Sequence, residues 1–294
     1  MERPSGDDVL RAARALEGTP VAWRRVSRGG QTAAGRWIAK LDDGRSAFVK
    51  IGWTLDTASW IRDEHLFYAR SRGLPFVPRM IGWDDDGEQP VLALEDLSEA
   101  YWPPAWRTGD VDAVLAALSA VAATPPPPDV PKAVESQFGL DGWPEIEEDP
   151  GPFLTLELCS AAWLENALPI FREAAPHRLD GDALLHFDVR SDNVCIKDRR
   201  AILIDWNFAC VGNPLVDVAA WLPSLQAEGG PAPEDVIGHP DGIGEIVALL
   251  AGYFCSHAGR PAIAEAPHVR PLQLMQSRTA LPWAARVLGI PPPA

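Results

Sequence analysis

Leu185-His186-Phe187-Asp188-Val189-Arg190-Ser191-Asp192-Asn193, followed by Ala201-Ile202-Leu203-Ile204-Asp205-Trp206, decides how this chain is read. The pattern is His-x-Asp-x4-Asn, then a short hairpin, then an apolar strand that ends in aspartate. Residues 194–196 and 201–204 are β-forming and flank Lys197-Asp198-Arg199-Arg200, which reads as a tight turn between paired strands. Such a hairpin folds Asp205 back beside Asn193. Any one of these residues alone would read as a turn or a cap; the joint pattern does not.

Phosphoryl transfer from ATP needs one carboxylate to take the proton from an acceptor hydroxyl, and an amide and a second carboxylate to hold Mg²⁺. On this reading Asp188 is the candidate catalytic base, and Asn193 and Asp205 are the candidate metal ligands. His186 is assigned to holding the loop by hydrogen bonding. Protein kinases carry the same arrangement. Asp205-Trp206 and the downstream Gly212-Asn213-Pro214-x-x-Asp217 instead resemble the aminoglycoside phosphotransferase and choline kinase-like family, small-molecule kinases with a kinase-like fold. The resemblance spans residues 20–225 and implies ATP- and Mg²⁺-dependent phosphorylation of a hydroxyl on a small molecule. Members act on aminoglycosides, choline or ethanolamine, homoserine, methylthioribose and maltose. A shared fold and catalytic loop do not choose among these.

The resemblance carries over to single positions. Lys50 closes the apolar run Ala47-Phe48-Val49; in this fold a third-strand lysine binds the α- and β-phosphates and a helical glutamate positions it. Glu64 is the natural partner, although Asp63 is adjacent and the helix register decides which points inward. The other reading of Lys50 is a solvated edge residue. Arg190 stands where protein kinases place a lysine on the transferred phosphate, so it is either a cation for the developing charge or a surface arginine paired with a carboxylate. Leu94-Glu95-Asp96-Leu97 resembles the family's hinge, where the backbone around Glu95 and Leu97 would hold adenine. The loop Ser27-Arg28-Gly29-Gly30-Gln31-Thr32 falls where a nucleotide-covering loop belongs. Gly29 and Gly30 would let backbone N–H groups approach phosphate, and Ser27 or Thr32 would add hydroxyls. It is neither a Walker A loop nor a GxGxxG loop. Asp217 is expected to hold the catalytic loop from below.

Working outward, residues 7–16 read as a capped amphipathic helix stopped at Gly18. Strands are expected at 23–26, 37–40, 46–51, 76–83 and 91–94, with a helix at 57–72. Beyond Leu97 the pattern turns helical: 111–123, then 153–174, 214–227, 241–257 and 272–288. Pro125-Pro126-Pro127-Pro128 is a rigid spacer, and 141–152 is broken by Pro and Gly and reads as a loop. The expected class is α+β, a bilobal protein-kinase-like fold. Residues 1–95 form a nucleotide-binding lobe with a five-stranded antiparallel sheet and a helix. Residues 96–294 form a mostly helical lobe with the catalytic hairpin and the acceptor site.

The 294 residues carry 26 basic and 41 acidic side chains, a formal charge of −15. Nucleic acid is excluded as the main partner because phosphate binding needs a basic surface. A field of this sign favours a cationic substrate, or simply a soluble acidic cytoplasmic protein. The four cysteines show no metal-ligand spacing; no run of about 18 apolar residues is present for a membrane span, and the charged N-terminal stretch lacks an apolar h-region, so no secretory signal is expected. A monomer or homodimer is expected. For a polycationic acceptor the candidate acids are Glu145, Glu147, Glu148, Asp149, Glu157 and Glu165. Trp102, Trp106, Trp143 and Trp163 are either stacking residues of an acceptor pocket or ordinary packing. Two departures from the antibiotic kinases stand out. His-Phe-Asp replaces the commoner His-Gly-Asp, and the chain ends in Pro-Pro-Pro-Ala rather than in acidic and aromatic residues. The alternatives are a choline, homoserine or sugar kinase, or a nucleotide-binding pseudokinase; intact Asp188, Asn193, Asp205 and Lys50 argue against the last.

Overall fold

The computed structural model describes residues 3–27, 33–135, 140–174, 176–264 and 266–293. The chain divides into two compact units. Unit 1 comprises Met1–Pro103, Asp112–Ala117 and Asp192–Phe208; unit 2 comprises Pro104–Val111, Leu118–Ser191 and Ala209–Ala294.

In unit 1, α1 (Gly6–Leu16) is followed by β1 (Pro20–Arg25), β2 (Gly35–Leu41) and β3 (Ser46–Ile51). Then come α2 (Leu55–Arg70), β4 (Met80–Asp84) and β5 (Val91–Glu95). The five strands form one antiparallel sheet in the order β1-β2-β3-β5-β4. Ser5 starts α1 through a capping box with Asp8, each side chain accepting the other's backbone N–H, which satisfies donors a helix start leaves open. The apolar stripe Ala12, Ala15 and Leu16 then packs on the sheet face made by Trp37, Ala39, Leu41, Val49, Ile51 and Ala93. Burying Leu16, Val49 or Ile51 contributes about 1.5–3 kcal/mol each. Gly82 permits the close approach of α1 to β4, because a Cβ there would fall 1.6 Å from the Ala15 carbonyl oxygen.

α3 (Asp110–Ala122) contributes residues to both units. In unit 2, α4 (Trp143–Glu148), α5 (Gly151–Leu154) and α6 (Ala161–Arg172) precede β6 (Ala183–Leu185). The segment 141–152, expected as a loop, contains α4: Pro144 is tolerated in its first turn, and buried Trp143 and Ile146 anchor it. The single helix expected at 153–174 is two, because Ser160 caps a new start by accepting from the Trp163 N–H. β7 (Val194–Lys197) and β8 (Arg200–Leu203) form a hairpin that belongs to unit 1. β9 (Cys210–Gly212) pairs with β6 in unit 2. The chain closes with α7 (Leu215–Ala227), α8 (Pro233–Ile237), α9 (Ile243–Ala258) and α10 (Val269–Val287). α9 is buried nearly all round, and Trp283 of α10 lies in the same core. No helix among the described residues is long and apolar enough to cross a membrane.

Candidate active site

Strand alternation sets the site in unit 1. On β3, Ala47, Val49 and Ile51 face α1, so Phe48 and Lys50 face the opposite side, as a period of two requires. There they line a cavity of about 320 Å³. Its apolar lining includes Ile38, Phe48, Leu94, Leu97 and Ile204; its charged and polar lining includes Arg36, Lys50, Glu64, Asp192, Asn193 and Asp205, with Arg24, Glu95 and Ser98 also present.

Of the two adjacent acids on α2, Glu64 is buried and Asp63 is exposed. Lys50 Nζ donates to Glu64 Oε2 at 2.7 Å and is also ion-paired with Asp205. Burial alone would depress the Lys50 ammonium, but the charges of Asp205 and Glu64 outweigh it and hold its pKa above the ordinary value. Burial pushes Glu64 up, opposed by Lys50. Tyr68, fully buried beside both acids, has its phenol raised by burial and by their charges.

The hairpin places the two candidate metal ligands. Val194 pairs with Leu203, and the Ile204 N–H donates to the Asn193 carbonyl at 2.9 Å, so Asn193 and Asp205 flank the open end of one ladder. Asp205 has φ +68°, a left-handed conformation that aspartate tolerates better than most residues. Trp206 holds it there: its ring stacks on Phe67 at 4.1 Å, and its indole donates to the Leu203 carbonyl at 2.9 Å. Phe67 lies three residues after Glu64 on α2, hence on the same face. One helix therefore fixes both acids around Lys50. Asn193 and Asp205 offer hard oxygen donors of the kind that suits Mg²⁺.

The loop that carries the candidate base Asp188 lies in unit 2. Buried Asp217, at the start of α7, accepts the backbone N–H of His186 on Oδ2 and of Phe187 on Oδ1, both at 2.7 Å. Burial raises the Asp217 pKa, while His186 and these two donors pull it back. His186 is fully buried, and its Nδ1 accepts the Asp188 N–H at 3.2 Å. Phe187 takes φ +67°, a region glycine enters without penalty; for phenylalanine the two flanking bonds to Asp217 must hold it. Arg190 is ion-paired with Asp188 itself.

Other residues singled out in the sequence fall as follows. The Glu95 carboxylate pairs with Lys197, its N–H donates to the Arg79 carbonyl at 2.8 Å, and it lines the cavity with Leu97. Ser27 is exposed; Gly29, Gly30 and Thr32 lie outside the described residues. Trp102 lines the unit 1 cavity. Trp143 is no acceptor-pocket residue: it is fully buried, stacked on Phe171 at 4.2 Å, and its indole donates to the Ala248 carbonyl at 2.8 Å. Trp106 donates to Glu228 and Trp163 to the Pro291 carbonyl. Glu145 is ion-paired with Arg260, and Glu147 with Arg172. Four polar residues that line the cavity were not among the expected site residues: Arg24, Arg36, Ser98 and Asp192. Arg36 is opposite Lys50 in the β2–β3 register; starting the strand at residue 37 hid it, and the hairpin register is the signal that would have found it.

A family model described as the phosphotransferase enzyme family matches residues 23–266. No curated protein sequence matches the chain. Among solved structures, a thermostable aminoglycoside phosphotransferase APH(4)-Ia, in ternary complex with AMP-PNP and hygromycin B, is similar with a TM-score of 0.61 at 13% identity, covering 97% of this chain and 98% of that one. Spectinomycin phosphotransferase APH(9)-Ia, in complex with ADP and spectinomycin, has a TM-score of 0.60 at 10% identity, covering 98% and 99%. An aminoglycoside phosphotransferase from Alicyclobacillus acidocaldarius has a TM-score of 0.59 at 14% identity, covering 98% and 96%. At these identities the likeness shows the fold, which is the α+β, kinase-like architecture expected from the sequence. The family model covers most of the chain, and the chain belongs to the phosphotransferase enzyme family.

Proposed function

We propose that this enzyme moves the γ-phosphoryl group of ATP to a hydroxyl of a small molecule, with Mg²⁺ held by Asn193 and Asp205. The observation that carries the reading is Lys50, bound between Glu64 and Asp205 in the lining of a cavity that also presents Ile38, Phe48, Leu94, Leu97 and Ile204. An adenine suits the apolar side chains, and phosphates suit Lys50 and Arg36. Mg²⁺ bound at these oxygens would neutralise charge on the phosphate oxygens.

Each residue then has a distinct task. Lys50 holds the α- and β-phosphates, and Glu64 holds Lys50. Arg36 adds a second cation from the neighbouring strand. Asp188 orients the acceptor hydroxyl and takes its proton. Arg190, ion-paired with Asp188, holds that carboxylate in place, and positioning is what this chemistry asks of the base. Arg190 is placed to meet the charge on the moving phosphoryl oxygens. His186 and Asp217 act on neither reactant; they fix the loop that presents Asp188.

The test is ADP release from ATP and Mg²⁺ with aminoglycosides, amino alcohols, hydroxy acids and sugars as acceptors. Asp188→Asn should abolish transfer while nucleotide binding persists, and EDTA should abolish turnover. Undiminished turnover in Asp188→Asn would remove Asp188 from the role of base. Nucleotide binding with no acceptor-stimulated turnover would make the chain a nucleotide-binding pseudokinase.

A further inference from the structure

α7 holds the loop that carries Asp188 at two points. In its first turn, Asp217 takes the N–H groups of His186 and Phe187. At its other end stands the C-cap residue Glu228. Glu228 Oε1 accepts the Ser191 hydroxyl, and Oε2 accepts the Trp106 indole N–H at 3.0 Å. The two acids stand about 16 Å apart along the helix. Between the bonded residues of the loop lie Asp188 and Arg190, which are ion-paired with each other. Ser191 is buried. The loop is thus bonded to one helix on both sides of Asp188.

Local sequence sets where Glu228 stands. Gly229 follows with φ +86°. Its N–H donates to the Gln226 carbonyl at 3.1 Å, and the Gly230 N–H donates to the Leu225 carbonyl at 2.9 Å. These paired bonds make a Schellman cap, whose left-handed turn glycine takes without penalty. Ahead of the cap, Trp221, Leu222 and Leu225 are fully buried. From α10, Thr279 donates to the Pro223 carbonyl at 2.8 Å and Gln276 to Ser224 Oγ at 3.1 Å. The Trp106 ring lies 5.5 Å from that of Trp221, so the indole bonded to Glu228 also packs on the helix that carries it. The helix end is a fixed post rather than a fraying terminus.

A carboxylate at that post needs a reason. The C-terminal end of a helix is the negative pole of its dipole, where an anion is disfavoured and a cation is the usual occupant. Asp217, at the opposite pole, has the dipole in its favour. Hydrogen bonds to an ionised acceptor are roughly twice as strong as neutral ones, and the two that reach Glu228 offset the unfavourable pole.

We propose that Glu228 is a positioning residue for phosphoryl transfer. Acting through Ser191, it sets the far end of the loop so that Asp188 and Arg190 meet the acceptor and the moving phosphoryl group together. The proposal rests on the phosphotransferase reading for the role of Asp188; the anchorage of the loop at both ends does not. Glu228 touches neither reactant. Its loss costs rate rather than nucleotide binding, because transfer depends on the alignment of the reacting groups.

The experiment measures ADP release from ATP and Mg²⁺ by the full chain, with water, kanamycin, choline and glucose as acceptors. Backbone hydrogen exchange across residues 186–191 is followed in the same variants. Ser191→Ala and Glu228→Ala should each lower kcat by about tenfold or more. KM for ATP should stay within about twofold, since neither residue lines the cavity of unit 1. The double variant should be no slower than the slower single one, because the two side chains act as one unit. Glu228→Gln should recover most of the rate: its carbonyl oxygen accepts from Trp106, and its amide donates to a Ser191 hydroxyl turned to accept. Exchange across 186–191 should quicken in both alanine variants. Thr279→Val removes a bond to the same helix away from the loop, and should lose stability while keeping kcat. Additive losses, an equal loss of kcat in Thr279→Val, or unchanged exchange in Glu228→Ala overturns the proposal. Undiminished kcat in Ser191→Ala overturns it whether or not Glu228→Ala folds. Quickened exchange with no turnover by the parent in any arm leaves the anchor standing and sinks the phosphotransferase reading.

Discussion

Lys50 Nζ and Glu64 Oε2 lie 2.7 Å apart, with Lys50 8% and Glu64 1% exposed. A buried pair of this kind is costly to break from one side, because the survivor keeps its desolvation penalty. In Lys50→Met, Glu64 and Asp205 lose their shared counter-charge. The Glu64 pKa, already raised by burial, rises further. A carboxyl whose folded pKa exceeds its unfolded value is well accommodated at low pH and destabilises as pH climbs through the folded value. Lys50→Met should therefore be less stable than the parent by about 3 kcal/mol at pH 8, and the gap should narrow towards pH 5. Urea unfolding at the two pH values reads both numbers; a gap independent of pH would mean that Glu64 is not the group left uncompensated.

Arg36 lines the cavity opposite Lys50 in the β2–β3 register. Burial pulls its pKa down, while Asp205, Glu64 and Asp192 pull it up. If it meets nucleotide phosphate alongside Lys50, Arg36→Gln should raise KM for ATP by about tenfold. The effect on kcat should be smaller, because the contact is made before as well as during transfer. Steady-state kinetics with varied ATP decides it, and an unchanged KM would assign Arg36 to holding the acids in place.

How much of this was legible depends on what each signal encodes. The five strands and α2 could be read because apolar alternation and the Asp-Gly turn are local. The candidates Asp188, Asn193 and Asp205 were singled out by spacing, and Lys50 by its place at the end of an apolar run and by what the family resemblance implies. Glu64 against Asp63 was not decidable, since a one-residue helix shift rotates a side chain by about 100°; the packing of Phe67 on Trp206 settles the face. α4 was missed because Pro144 and Gly142 look like breakers until Trp143 is seen buried against α9. Phe187 shows the opposite case. Its unusual identity was visible, but the reason glycine suits the position, φ +67°, exists only in the backbone.

The turn between β7 and β8 carries removable strain. Asp198 and Arg199 have φ +51° and +62°, the two positive values of a type I′ turn, which Asn-Gly fits best. Both side chains are exposed. Replacing the pair, Asp198→Asn with Arg199→Gly, should stabilise the protein by about 1 kcal/mol. The urea midpoint should rise with an unchanged slope. A midpoint that falls would mean that Arg199 contributes more to the fold than its backbone costs.

His257 should make stability depend on pH in a window of its own. Its folded pKa is about 4 against an ordinary value of 6.5, chiefly through burial. Between those values the unfolded chain binds a proton that the folded chain refuses, so stability falls as pH drops from 6.5 towards 4. The carboxylates with depressed pKa values, such as Glu145 beside Arg260, lose their contributions lower down, below about 4.5. His65 is also held down by burial and adds to the same trend, so the useful quantity is a difference. His257→Gln keeps a polar group near Arg260 and removes one titration. Its stability should decline less than the parent's between pH 6.5 and 4.5, by about 1 kcal/mol or less, because His257 is only half-buried and solvent screens part of the penalty. Urea unfolding of both proteins at pH 6.5, 5.5 and 4.5 measures it. Parallel declines would place His257 in contact with solvent rather than locked between the Tyr253 carbonyl and Arg260.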